Sequence, residues 1–279
     1  MIQENKTILI TGATSGIGRA AAARLAAMGH TIVIAGRSRE KCAAAAETIR
    51  RQTGREVRWL AGDLSSLAQV RRLAEEYRQR FQRLDALVNN AGAVYIRRAE
   101  TDDGLEMGWA VNYYQAFLLT GMLLDLLKAS APARVVNLSS IFHWAARLNL
   151  ENPRERGLYI GWNVYARTKL ASLYFTYELA RRLEGSGVTA NAIHPGLVRT
   201  GMGKTSGRLL RWVFRVVDLF AVTPEKGAEG VANLAANPAL EATSGQYFSG
   251  MKAARSSPVS YNRDIARRLW EMSENMVSR

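Results

Sequence analysis

Tyr165 and Lys169 stand four residues apart in Asn163-Val164-Tyr165-Ala166-Arg167-Thr168-Lys169-Leu170-Ala171. On a helix that spacing puts a phenol and an ammonium on one face. A phenol with a reference pKa of about 10 is a poor proton acceptor at neutral pH. A neighbouring cation favours the phenolate, and burial opposes it. An exposed helix pair could show the same spacing by chance, so the surrounding residues carry the argument. Ser139 and Ser140 close the apolar run Arg134-Val135-Val136-Asn137-Leu138, and a hydroxyl there can hold a substrate oxygen against the phenol. Asn112 follows Trp109, Ala110 and Val111, a costly setting for an amide unless it is hydrogen-bonded. Together these residues suit proton exchange coupled to hydride transfer.

A hydride carrier needs a seat, and Thr11-Gly12-Ala13-Thr14-Ser15-Gly16-Ile17-Gly18 offers one. Glycines between a strand and a helix start let the backbone approach a pyrophosphate, which the free N–H groups of the helix then bind. The expected contacts are Gly12, Thr14, Ser15, Gly16, Ile17 and Gly18. The spacing is Gly-x-x-x-Gly-x-Gly rather than Gly-x-Gly-x-x-Gly. A glycine turn alone could be only a turn; its place after the first strand of a βαβ unit gives it weight. The second strand ends in Ala35-Gly36-Arg37-Ser38, with no carboxylate to bind a ribose 2′-hydroxyl. Arg37 could instead take a 2′-phosphate with two aligned hydrogen bonds, which favours NADP(H) over NAD(H). Its other reading is a solvated residue at a helix start. In Gly62-Asp63-Leu64, Asp63 could accept from the adenine amino group or cap the next helix, and Leu64 lies beside it. Asn89-Asn90-Ala91-Gly92 could brace the sheet, with Asn90, Ala91 and Gly92 lining the cofactor floor. His194-Pro195-Gly196 bends the chain toward the nicotinamide.

These residues must be positioned by a doubly wound α/β domain. Apolar runs of strand length alternate with amphipathic stretches, as in a parallel sheet with helices on both faces. Seven strands are expected, near 7–11, 31–35, 57–60, 86–89, 134–138, 189–193 and 246–248. Helices should fill 16–27, 39–52, 67–81, 104–128, 162–184, 224–235 and 264–275. The rhythm persists along all 279 residues without a Pro/Ser-rich linker, so a single domain is expected over 1–279. Loops at 147–161 and 196–221 leave from carboxyl ends of strands, where ligands of open α/β sheets bind. Cys42 is the lone cysteine and the three histidines are scattered, so no metal site is expected. No apolar run could span a bilayer and no signal-peptide layout stands at the start, so a cytoplasmic protein is expected. The net charge of +14 comes from Arg spread over most helices, without an aromatic-basic strip. It reads as a solvated surface that attracts an anionic cofactor, not as a nucleic-acid interface.

Thr-Gly-x-x-x-Gly-Ile-Gly, Asn-Asn-Ala-Gly, a strand ending in Ser-Ser, Tyr-x-x-x-Lys and Pro-Gly, in that order, resemble the short-chain dehydrogenase/reductase family from about Lys6 to Gly250. The resemblance implies a catalytic tetrad of Asn112, Ser140, Tyr165 and Lys169, with Ser140 preferred to Ser139 as the later of the pair. Tyr165 would exchange the substrate proton, Ser140 would orient the carbonyl and Lys169 would lower the tyrosine pKa and hold the nicotinamide ribose. Asn112 would hold a proton-relaying water. Pro195, Gly196, Val198 and Thr200 would line the nicotinamide, Thr200 at its amide. It also implies a homo-oligomer, commonly formed through the two long helices 104–128 and 162–184. Ser-Ser-Ile-Phe-His, Glu178-Leu-Ala-Arg-Arg-Leu-Glu-Gly-Ser-Gly-Val and the tail from Ala266 resemble the retinol dehydrogenase-like branch, with its protochlorophyllide reductase relatives.

In the lid, 197–221, Lys204, Arg208, Arg211 and Arg215 fall on one face within about 60° at 100° per residue. Apolar residues cover the rest. A substrate lid over an apolar pocket is the first reading, and a basic helix touching anionic membrane the second. Tyr95, Phe142, His143 and Trp144 are candidate lining. The function expected is an NADP(H)-dependent oxidoreductase of lipophilic carbonyls or alcohols. A non-catalytic NADP(H) sensor and a reductase of activated C=C bonds are the rivals.

Overall fold

A computed structural model describes residues 5–151, 155, 157–196 and 223–278. Strands β1 (Thr7–Thr11), β2 (Thr31–Gly36), β3 (Val57–Ala61), β4 (Ala86–Asn89), β5 (Ala133–Leu138), β6 (Val188–His194), β7 (Tyr247–Ser249) and β8 (Lys252–Ala254) form one sheet in the order β3-β2-β1-β4-β5-β6-β7-β8. The first seven run parallel, and β8 returns antiparallel to β7. The eighth strand was not expected. Its sequence, Lys-Ala-Ala, is exposed throughout and carries no apolar alternation; only the turn at Gly250, with φ +59°, folds it back.

The central strands are apolar on both faces because both are covered. Leu9, Val33, Leu87 and Val135 point into one core, while Ile8, Ile10, Ile32, Ile34, Val88 and Val136 point into the other. Helices α1 (Gly16–Ala27), α2 (Arg39–Thr53) and α6 (Pro224–Ala236) cover the second core. Ala21, Ala22 and Ala26 of α1 meet Ala228, Ala232 and Ala235 of α6, so those helices pack closely.

The first core lies under α3 (Leu67–Arg80), α4 (107–129), α5 (Gly161–Arg182) and α7 (Arg263–Val277). Helix α4 starts later than the expected 104, because Gly104 sits in a turn with φ +72° and Glu106 caps the first turn through Trp109 N. Its Ala110–Tyr114 segment is a π-helix that leads into Gln115–Ala129. Helix α5 is buried almost all round, since β5, β6, α4 and α7 pack on it.

Between β1 and β4 the chain order reverses, which opens a crevice at the carboxyl ends of the strands. Asn89 and Asn137 are partners in adjacent strands there. Asn89 Nδ2 donates to Asn137 Oδ1 at 2.8 Å and to Thr120 at 3.0 Å, and Asn137 Nδ2 donates to Thr176 on α5 at 3.0 Å. This buried amide ladder fixes β4, β5, α4 and α5 relative to one another.

Candidate active site

The glycine turn is built by close packing in two places and by openness in a third. A Cβ on Gly12 would lie 2.8 Å from Ala91 Cα, and one on Gly18 would lie 2.4 Å from Asn90 Nδ2. Gly16 differs: its φ is +56° and a Cβ there would meet nothing within 4 Å. Ser15 stands at the N-cap of α1 without a side-chain cap bond, and the first turn holds no acidic residue. The helix therefore points free N–H groups into the open space at Gly16, an arrangement that fits a pyrophosphate. Ile17 is partly buried against the second core. Thr14 packs its methyl under Gly36, where a Cβ would come within 2.7 Å.

Asn90 is committed to this turn. Its Nδ2 donates to Thr11 O at 2.7 Å and Gly12 O at 3.1 Å, while Thr11 Oγ1 accepts from Asn90 N and Ala91 N, both at 3.1 Å. Gly92 borders the reacting groups: a Cβ there would lie 3.2 Å from both Asn112 Oδ1 and Lys169 Nζ.

At the end of β2, Arg37 is exposed and makes no hydrogen bond or ion pair among the described residues. Arg39 differs, because its guanidinium lies 5.5 Å over the Trp59 ring. Asp63 does not cap α3; Ser66 does, accepting from Gln69 N. Asp63 Oδ1 instead accepts from Ser65 N at 2.9 Å and Ser65 Oγ at 2.8 Å, bracing its own turn. The Leu64 side chain is buried in the first core.

Helix α5 carries Tyr165 and Lys169 to the carboxyl end of β5. Lys169 is 3 % exposed and donates from Nζ to Leu138 O at 2.9 Å. Burial pulls its pKa down to about 8. Burial also pushes Tyr165 up to about 12, with the polar Ser140 side chain working against it. The expected lowering of the phenol by Lys169 is therefore not the dominant effect here. Nζ is held on the Leu138 carbonyl and lies 5.5 Å from the centroid of the Tyr165 ring, over its face. The two serines have different work. Ser139 Oγ donates to Lys169 O at 2.9 Å, whereas Ser140 Oγ accepts from Phe142 N at 3.4 Å and its hydroxyl acts on the Tyr165 phenol.

Asn112 lies in the π segment, a helix irregularity frequent at functional sites. Its Oδ1 accepts from Ala93 N at 2.7 Å, and its Nδ2 donates to Ala93 O at 3.0 Å and Thr168 Oγ1 at 3.1 Å. The amide so ties the strand-end loop to the helix of Tyr165. Thr168 was not anticipated, although its place within Tyr-x-x-x-Lys puts it one turn after Tyr165 and directly before Lys169.

Phe142 packs edge-on to Tyr165 at 6.1 Å between ring centroids, and Trp162 does likewise at 6.1 Å. This aromatic collar includes Trp162, which the residue pattern had not singled out. Of the expected lining, Trp144 is exposed, but His143 is 0 % exposed and does not line a pocket. Tyr95 lies within reach of the charges of Arg37, Asp63 and Glu106, beside the ends of β2 and β3. Tyr159 donates to Tyr95 O and Glu106 Oε1, each at 3.0 Å, and Glu155 takes Trp109 Nε1 at 3.1 Å and pairs with Arg167. These contacts pin Glu155 and Tyr159 to the start of α4 and to α5. Gly196, with φ +98°, ends the described part of the β6 exit after Pro195. Val198, Thr200 and the lid, 197–221, lie outside the described residues. Among the described residues no three His, Cys, Asp or Glu side chains gather to hold a metal, and no helix is long and apolar enough to cross a membrane.

A family profile described as short chain dehydrogenase matches residues 6–209. The chain belongs to that family. Within it the chain lies in the retinol dehydrogenase-like branch: retinol dehydrogenase 14 of Mus musculus is 40% identical over 99% of this chain and 87% of its own length. An uncharacterized protein from Mycobacterium Paratuberculosis superposes with a TM-score of 0.79 at 32% identity, over 98% of this chain and 93% of that one. The Pseudomonas aeruginosa RhlG/NADP active-site complex gives a TM-score of 0.72 at 26% identity, over 89% of this chain and 96% of that one. This protein is an oxidoreductase that moves hydride between a nicotinamide cofactor and an alcohol or carbonyl group.

Proposed function

We propose that the protein is an NADP(H)-dependent dehydrogenase/reductase of lipophilic alcohols and carbonyls. The observation that carries this reading is the placing of the Lys169 ammonium over the Tyr165 ring and beside Gly92, with Ser140 acting on the phenol, at the crevice edge that also holds the open helix start of α1. The α1 N–H groups and the opening at Gly16 would hold the pyrophosphate, and Lys169, with two ammonium protons beyond its bond to Leu138 O, would hold ribose hydroxyls. When bound, the nicotinamide supplies or accepts the hydride. Ser140 Oγ would orient the substrate oxygen and the Tyr165 phenol would give or take its proton. Asn112 keeps the 91–93 loop and α5 in register.

NADP(H) is supported by an exposed, unengaged guanidinium at Arg37 and by the absence of a carboxylate in Ala35-Gly36-Arg37-Ser38. The NADP held by the Pseudomonas aeruginosa relative points the same way. A lipophilic substrate is supported by the Phe142 and Trp162 rings around the phenol and by exposed Ile141, Trp144, Leu158 and Ile160 nearby in sequence. The names of the relatives, retinol dehydrogenases, agree with that chemistry. The test is NADPH oxidation in the presence of retinal-like and long-chain aldehydes. Turnover with NADPH well above that with NADH is expected. Tight NADPH binding without turnover on any such carbonyl or its alcohol would overturn the proposal.

A further inference from the structure

His143 is completely buried, yet it touches no substrate-facing space, and both of its ring nitrogens are used. Ser257 N donates to Nε2 at 3.0 Å, and Nδ1 lies 2.6 Å from Ser140 O. A main-chain N–H can only donate, so Nε2 is the acceptor. The proton of the neutral ring then sits on Nδ1 and is donated to the Ser140 carbonyl. That carbonyl also accepts from His143 N at 3.1 Å, so one residue grips it twice. The ring is further wedged edge-on against Tyr247 at 5.1 Å.

The far anchor is rigid as well. Ser256 Oγ bonds Tyr177 Oη and Ser260 Oγ, both at 2.6 Å, and Ser260 Oγ donates to Ser257 O at 2.6 Å. Tyr174 Oη donates to Val259 O at 2.6 Å. Tyr174 and Tyr177 belong to α5, the helix that carries Tyr165 and Lys169. A continuous chain of contacts results: α5, the 256–260 strap, the imidazole and the Ser140 carbonyl, whose serine hydroxyl acts on Tyr165 of α5.

We propose that His143 is a positioning residue for Ser140, a neutral imidazole that fixes the main chain from which the serine presents its hydroxyl to Tyr165. This rests on the reading of Ser140 and Tyr165 as the reacting pair. Protonation would convert Nε2 from acceptor to donor against the Ser257 N–H, and burial disfavours the cation as well. His194 on β6 is the other titratable group whose charge acts across this space, and the Tyr247 phenol on β7 faces the ring. Neither supplies a negative charge that would favour an imidazolium.

The experiment compares Ser140→Ala, His143→Phe, His143→Asn and His143→Gln for kcat, KM, NADPH affinity and melting temperature. The asparagine amide can restore the donor to Ser140 O, whereas glutamine reaches only toward Ser257 N. His143→Phe and His143→Gln should lower kcat about 10- to 100-fold with NADPH affinity unchanged, and His143→Asn should recover most of it. Phe or Gln variants that keep kcat within about twofold, or Asn and Gln variants that lose kcat equally and in step with stability, would overturn the proposal. Full turnover in Ser140→Ala would instead sink the underlying reading of the site. Nitrogen-15 histidine spectra of the unaltered protein give an answer independent of any variant's folding. An Nδ1-protonated neutral ring is expected at pH 7, and an Nε2-protonated or cationic ring contradicts it.

Discussion

Tyr165 and Lys169 are poised by burial more than by each other. With the phenol near 12 and the ammonium near 8, the neutral-pH site holds a proton on both. That state is ready to reduce a carbonyl, because Tyr165 has a proton to give. The reduction rate should be flat below pH 7 and fall as pH rises through about 8, where Lys169 loses its charge. Alcohol oxidation needs a phenolate beside a charged Lys169, so its rate should climb with pH up to about 8 and level off above it. Profiles of kcat/KM in the two directions check this, and a reduction rate unchanged to pH 10 would contradict it. At the other end of the crevice, Arg37→Asp removes a phosphate partner and adds a repelling charge. A charge-assisted bond of about 1.5–3 kcal/mol corresponds to roughly 10- to 100-fold weaker NADPH use, with NADH use rising. Equal kcat/KM for NADPH in parent and variant would remove Arg37 from the cofactor site.

The elements hold these residues through contacts of two kinds, near and far in sequence, and that difference governs what the sequence could reveal. The glycine turn, the positions of the first seven strands along the chain and the Tyr165–Lys169 pair are local patterns, readable from spacing and from apolar runs. The Lys169 bond to Leu138 O spans 31 residues and the His143 bond to Ser257 N spans 114, so neither leaves a local signature. The π segment around Asn112 is hidden too, because apolar periodicity does not distinguish i→i+5 from i→i+4 bonding. Likewise Asp63 had two plausible tasks, and its bonds to Ser65 gave it a third. The cradle offers a sharp contrast between two glycines. Gly18→Ala would drive a Cβ into Asn90 Nδ2 and Gly12 O, at 2.4 and 2.8 Å, and should cost about 1–3 kcal/mol of stability. Gly16→Ala has room, so it should cost only about 1 kcal/mol for its positive φ while weakening NADPH binding, since its methyl fills the cradle. Thermal melts and cofactor titrations separate the two; equal stability losses would contradict this packing.

Taken whole, the molecule folds its C-terminal helix α7 over the long helices. Trp270 lies 4.9 Å from Phe117 and 5.7 Å from Phe175 between ring centroids, with the Arg182 guanidinium 4.3 Å over its ring. On this flank α4 and α5 are packed by the chain's own C-terminal helix. The three histidines set an acid limit on the whole fold. Burial lowers His30 and His143, and it brings His194 to about 4, with the field of His143 adding to it. Each is neutral in the fold and takes up protons more readily when unfolded. Their stabilising effect is full above pH 6.5 and is lost as pH falls toward 4, with His194 alone worth on the order of 3 kcal/mol. Melting temperatures should drop steadily over that interval, and a flat profile would contradict the linkage. The central claim, that Tyr165 handles the substrate proton, is tested most directly by Tyr165→Phe assayed by NADPH oxidation alongside NADPH binding. The variant should lose about 10²–10⁴-fold in kcat while binding NADPH within a few-fold of the parent. A variant that binds the cofactor and turns over at the parent rate would contradict the account.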